Sequence, residues 1–414
     1  MSLKGFIFSF LWIASLLTIG SVFDVSFFDE LLCLAVLFFS LKKGFLRSRC
    51  LIVLLVYVLF HLIISINYGY NINKAILLDA LMYAKPFVCA IACGSGFFTL
   101  KSRENAILNK AIYAVLFVLF ADSLLAFFTG ARDSASMPPF LFVTNYNLAG
   151  TTTLMLLFYM LMRKENECKK ITLKECFLYA VLLMTVPITM QGKYFGFTFC
   201  FIFLNIFCKK MIPFLQSNQF STRFFYKAFS IIVIALGFLG VMSLALDDLK
   251  TYYLTDNEKM ARAMMVRSLP KVLEGEYFIT GRGFGAFCDP ITRIYYPKAF
   301  MDEIGLSHVY GLSTSYSNFM ADGYLWSFAG CFGLIGIILL LLFLIYMFAP
   351  FVKLWKLRVL PARMAFSCLV CFIWIVIFSF GSGLMFGYGC FVMLLWGMLR
   401  WKAVQLLEKE TATV

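Results

Sequence analysis

DDLKTYYLTDNEKMARAMMVRSLPKVLEGEYFITGRGFGAFCDPITRIYYPKAFMDEIGLSHVYGLSTSYSNFMADGYLW, residues 247–326, is the one long polar stretch in an otherwise apolar chain. Lys250, Lys259, Arg262, Arg267, Lys271, Arg282, Arg293 and Lys298 face a similar number of acidic residues, so its net charge is close to zero. It holds a glycine cluster (Gly281, Gly283, Gly285) and His308, one of only two histidines. Most connections between spans take only a few residues. A polar segment of this length between apolar runs therefore predicts a working surface, with the remainder as the scaffold that sets it at a bilayer face.

Composition supports that division. Of 414 residues, 62% are hydrophobic and 14% charged, with a mean hydropathy of +0.87. A soluble domain manages with roughly 45–50% apolar residues, and a bilayer is the solvent that accommodates the excess. The net charge of +14 is distributed among short connections, so it does not point to nucleic acid. The apolar run after Lys4 is long enough to span and no small-residue cleavage site follows it, which predicts a first transmembrane helix rather than a signal peptide. Of the 13 cysteines, only Cys288 falls in the long segment, so neither a disulfide framework nor a metal-ligand spacing is expected.

Apolar runs begin near Gly5, Glu30, Cys50, Ile76, Asn105, Asn147, Cys176, Gly192, Lys227, Tyr324, Ala365 and Gly383. They predict an all-α polytopic membrane protein with about twelve transmembrane helices. Residues 1–246 would supply the first nine and residues 327–404 the last three, with the large loop (247–326) between the ninth and tenth and a short frayed tail at 405–414. Lys and Arg cluster in every second connection: Lys42, Lys43, Arg47 and Arg49; Lys101, Arg103 and Lys110; Arg163 to Lys174; Lys209 to Lys227; Lys353 to Arg363; and Arg400 to Lys409. The positive-inside rule then puts both termini in the cytoplasm and the large loop on the opposite, periplasmic side.

Several side chains are placed to do chemistry. Lys193 follows Gln191-Gly192 in a tight turn between two runs, which suits a phosphate headgroup and also a lysine snorkelling to water. Lys85 lies about nine residues, or roughly 14 Å, into its run, as an intramembrane site or half of a buried pair. Arg262 and Arg267 fall on a helix expected over 256–273, capped by Asp256 or Asn257 and interrupted near Pro270. Their five-residue offset turns them about 140° apart. Arg is suited to bidentate phosphate contacts. Thr280-Gly281-Arg282-Gly283-Phe284-Gly285 reads as a phosphate-cradling turn or a tight turn against the membrane. His308 is a candidate base or a structural loop residue, and His61 an interfacial one. Asp322 precedes a long apolar run, as a partly desolvated base or a helix N-cap.

These features together resemble the superfamily of bacterial inner-membrane O-antigen ligases and O-antigen polymerases of the Wzy type. Asp322-Gly323, nine residues, then Gly333-Leu334-Ile335-Gly336 is similar to the family's His-Asn, nine residues, Gly-x-x-Gly at the end of the large loop. Aspartate stands where ligases carry histidine, which tilts the resemblance toward polymerase. Ala261-Arg262 followed by Gly281-x-Gly283-x-Gly285 resembles the family's Arg-to-Gly-x-Gly segment, and Gln191-Gly192-Lys193 its Ser/Thr-Arg turn with lysine for arginine.

The resemblance implies a GT-C-like helical bundle whose loop caps a cavity open to lipid. It implies a metal- and cofactor-independent glycosyltransferase for lipopolysaccharide biosynthesis. The donor and acceptor would be oligosaccharides on undecaprenyl diphosphate, with a chain-length regulator as a further partner. Cations must hold the diphosphate as its bond to the sugar breaks; Lys193, Arg262, Arg267 and Arg282 are the candidate clamps. Asp322 or His308 would take the proton from the attacking hydroxyl. Tyr295, Tyr296, Tyr310 and Tyr316 are candidate sugar platforms. The alternatives are a ligase acting on lipid A-core and, from another class, a lipid-linked oligosaccharide transporter; absent internal repeats count against the latter.

Overall fold

The computed structural model describes residues 3–18, 28–41, 43–129, 145–162, 171–189, 192–216, 260–381 and 384–412, and among these every regular element is helical. The helices are α1 (Leu3–Thr18), α2 (Phe28–Leu41), α3 (Arg49–Tyr68), α4 (Asn73–Gly94), α5 (Ser102–Thr129), α6 (Asn145–Met162), α7 (Leu173–Thr189) and α8 (Gly192–Gln216). Four short ones follow: α9 (Ala261–Val272), α10 (Tyr277–Thr280), α11 (Pro290–Ile294) and α12 (Lys298–Glu303). The chain ends with α13 (Tyr324–Lys356), α14 (Ala362–Gly381) and α15 (Leu384–Ala412). Among the described residues, six helical stretches are long and apolar enough to cross a bilayer: Arg49–Tyr68, Asn73–Gly94, Ser102–Ala126, Gly196–Pro213, Tyr324–Lys356 and Tyr388–Ala412. Leu3–Leu17, Leu148–Met162 and Ala362–Val376 are shorter apolar helices. The chain is a helical membrane protein. The run expected near residue 227 and the start of the polar segment, 247–259, lie outside the described residues.

Helices approach closely where residues are small. α4 lies along α15, and a Cβ on Gly397 would sit 2.5 Å from the Ala90 carbonyl oxygen. Cys89, Ala90, Ala92, Cys93 and Gly94 give α4 a low-profile face, the usual means of packing helices in lipid. The expected frayed tail is helical instead: α15 continues to Ala412, with Leu406 and Leu407 packed against the core.

The basic connections meet one another. Lys4 Nζ donates to the Thr99 carbonyl and Lys43 Nζ to Thr99 Oγ1 at 3.1 Å, which joins the connections before α3 and α5. Glu175 caps α7 by accepting from the Thr172 amide at 3.0 Å while Thr172 Oγ1 accepts from the Glu175 amide at 3.3 Å. Its other oxygen binds Lys209 Nζ at 2.6 Å and lies 3.5 Å from Arg363.

Candidate functional site

The site is built around a break in α13. Gly333 adopts φ 56° and ψ −152°, outside any helical region. The break releases the carbonyls one turn earlier from intrahelical bonding, and the glycine segment uses them. The Arg282 amide donates to the Gly330 carbonyl at 3.0 Å and the Gly283 amide to the Cys331 carbonyl at 2.8 Å. The next two amides reach other spans: Phe284 donates to Ser65 Oγ on α3 at 2.7 Å, and Gly285 to Asp79 Oδ2 on α4 at 2.7 Å. Asn71 Nδ2 closes the segment by donating to the carbonyls of Gly285 (2.9 Å) and Tyr295 (2.6 Å). Residues 281–289 are consequently buried throughout. Non-helical backbone is tolerated within a membrane protein where its polar groups are met by protein, and four successive amides here find acceptors on three helices.

Glycine is required at two of these positions for space as well as for φ. A Cβ on Gly281 would lie 2.3 Å from the Cys331 carbonyl oxygen, and one on Gly283 2.4 Å from Ser65 Oγ; their φ values are +69° and +86°. The phosphate-cradle reading of Gly281-x-Gly283-x-Gly285 is therefore corrected: the amides that would cradle a phosphate are already bonded to the bundle.

The clamp role expected of Arg282 changes for the same reason. Its side chain is 5% exposed. Nε donates to the Val272 carbonyl at 2.8 Å, and the two terminal nitrogens donate to Tyr70 Oη at 2.5 Å and the Lys271 carbonyl at 3.3 Å. The guanidinium stacks on Tyr277, 3.5 Å from the ring centroid. It ties α9 to the α3–α4 connection, and its donors point inward. Burial outweighs the arginine at Tyr70, whose hydroxyl is pushed up to about 12.

Arg262 and Asp322 are brought together. They stand at opposite ends of the described loop, yet Arg262 donates to Asp322 Oδ2 at 2.8 Å, with side chains 27% and 23% exposed. Asp322 is not the cap of α13; that position is Gly323, which has no side-chain cap bond. α9 begins after Met260 and continues two residues past Pro270 to Val272, so the interruption expected at Pro270 is corrected, while the start expected near residue 256 lies outside the described residues. Arg267 is exposed and Arg262 half-buried on this helix, as their angular offset requires.

His308 is exposed in the turn after α12. Beyond it, Tyr310 and Tyr316 stack with ring centroids 4.6 Å apart. Tyr295 lies 5.7 Å from Lys74 Nζ. Tyr296 is half-buried, donates to the Leu312 carbonyl at 2.8 Å, and burial pushes its hydroxyl up to about 12. Lys193 is the second residue of α8; its side chain lies outside the described residues. Lys85 is half of a buried pair, bonded to Asp29 and, at 2.9 Å, to Glu30 on α2. His61 is fully buried, ringed by Tyr57, Phe60, Phe284 and Phe332, rather than interfacial.

A cavity of about 230 Å³ adjoins the glycine segment. Tyr57, Tyr83, Phe284, Phe328, Phe332 and Phe343 line it, with Arg49 and Tyr346 among its other walls. Its character is that of a hydrocarbon-binding groove between α3, α4 and α13.

No family model and no curated protein matches this chain. Residues must therefore carry the functional reading. Two that sequence reasoning did not single out are Ser65 and Asp289. Ser65 sits on an apolar run with no distinguishing spacing. Asp289 announced itself only as Asp-Pro: it caps α11 by accepting from the Thr292 amide at 2.7 Å, with the reciprocal bond from its own amide to Thr292 Oγ1. Burial pushes its carboxyl up to about 7, against the opposing pull of the Thr292 and Ile291 amides.

Proposed function

We propose that this chain is an O-antigen polymerase-type glycosyltransferase of a bacterial inner membrane. It would move a glycan from undecaprenyl diphosphate to the sugar of a lipid-linked repeat unit at the periplasmic face. In this reading about twelve helices span the bilayer, both termini are cytoplasmic and residues 247–326 form the catalytic loop. The observation that carries the proposal is the meeting of Arg262 and Asp322. A guanidinium able to bind diphosphate and a carboxylate able to accept a hydroxyl proton are held 2.8 Å apart while both reach solvent.

On substrate binding, Arg262 turns from Asp322 to the diphosphate oxygens, and the released carboxylate faces the acceptor hydroxyl. That exchange couples donor binding to base activation. Lys193 and Arg267 are the supporting cations, and Arg282 holds the loop. The adjoining apolar cavity fits part of a polyprenyl chain. Stacked Tyr310 and Tyr316 offer a ring surface to a sugar. Lys85, the intramembrane cation that would suit a transporter, is engaged by Asp29 and Glu30.

A deletion strain separates the two transferase readings. Loss of long chains with single repeat units still attached to core is expected. Loss of every attached unit would assign the chain to ligase chemistry instead.

A further inference from the structure

Below the glycine segment lies a cluster that the proposed transfer does not use. Asp79 from α4, Asp289 from the loop and Cys331 from α13 each bring a donor atom into one group, all within 4.8 Å of one another. Asp79 and Asp289 are fully buried. Each has one carboxylate oxygen committed, to the amides of Gly285 and Thr292 respectively. The other oxygen of each, Asp79 Oδ1 and Asp289 Oδ2, is buried with no hydrogen-bond partner. Two buried carboxylates with orphaned oxygens call for a counter-charge, because an uncompensated buried charge is expensive. Asp79 and Cys331 sit on two of the helices that the glycine segment joins, and Asp289 on the loop that continues from it.

We propose that Asp79, Asp289 and Cys331 form a binding site for a divalent cation of the zinc class. Two carboxylate oxygens and one sulfur make a mixed hard–soft donor set, which favours a borderline ion over calcium or magnesium. Cys331 Sγ donates to the Phe287 carbonyl at 3.7 Å, a bond the thiol gives up with its proton when it binds the ion as thiolate; the carbonyl keeps Ser327 Oγ as a donor at 2.8 Å. The ion is structural: it fastens the loop to α4 and α13, and no step of sugar transfer runs through it.

Metal analysis of the full-length, tag-free protein in detergent, grown with zinc and separately with cobalt, tests this. About one zinc per chain is expected, and cobalt-grown protein should show thiolate-to-cobalt charge-transfer absorption. In Cys331→Ser that band should vanish while a weaker visible cobalt spectrum persists. Asp289→Asn should lose the metal. Should it fail to fold, Cys331→Ser and the wild type still decide the matter. A metal-free wild type, or one whose metal content and spectrum are unchanged in Cys331→Ser, overturns the site. So does a metal-free wild type in which Asp79→Asn raises thermal stability, because the carboxyls then share a proton.

Discussion

Replacing Gly283 with alanine should open the loop, and the size of the effect can be worked from the geometry. The residue sits at φ +86°, where an L side chain costs about 1–2 kcal/mol. Its Cβ would lie 2.4 Å from Ser65 Oγ and 2.9 Å from Ser65 Cα, so the serine must move with its backbone. Ser65 Oγ accepts from the Phe284 amide at 2.7 Å, and a buried amide left without an acceptor costs about 1–3 kcal/mol. Together these give about 2–5 kcal/mol, or roughly thirtyfold or more in the open-to-closed ratio at about 1.4 kcal/mol per factor of ten. Cys288, fully buried five residues on, reports the opening. Its maleimide labelling rate, read peptide by peptide by mass spectrometry, should rise by at least that factor. Gly305→Ala is the control, because Gly305 has φ +80° but open space where a Cβ would go. It should leave Cys288 labelling close to wild type. Labelling of Gly283→Ala at the wild-type rate would refute the docking reasoning.

Arg282→Ala should lower the yield of folded protein, because it removes a donor from the Val272 and Lys271 carbonyls and from Tyr70. Arg282→Lys should not rescue it, since an ammonium cannot reproduce the fork; size-exclusion profiles check both. Arg262→Ala should abolish or shorten polymer at normal protein abundance, because a partly exposed pair contributes only about 0–1 kcal/mol to stability. Asp322→Asn should shorten polymer likewise, and full-length chains on a gel would remove Asp322 as the base. Lys193→Ala should shorten polymer while Lys193→Arg retains it, both measured as chain-length distribution.

The helical membrane architecture was legible because hydrophobic run length is a local property. Runs opening at Cys50, Ile76, Asn105 and Tyr324 correspond closely to α3, α4, α5 and α13. Pairings across distance were not legible. Nothing in the spacing of Lys85 names Asp29 and Glu30, more than fifty residues earlier, as its partners. Alternating glycines read equally as a phosphate cradle and as a tight turn against the membrane; the choice depended on Gly333, which the sequence marks as the start of Gly-x-x-Gly but not as a break in the helix. Only its left-handed φ frees the Gly330 and Cys331 carbonyls for the loop. Position alone offers Asp322 as a base or a helix N-cap; its contact is with Arg262 and not with the helix it precedes. The five-residue offset of Arg262 and Arg267 did separate them, since α9 is a regular helix over both.

Incubating purified protein with lipid-linked repeat units in detergent or liposomes tests the proposed chemistry most directly. A ladder of products, each one repeat unit longer, is expected, and Arg262→Ala should reduce it to the starting band. A single unchanged band from folded wild-type protein would contradict polymerase function.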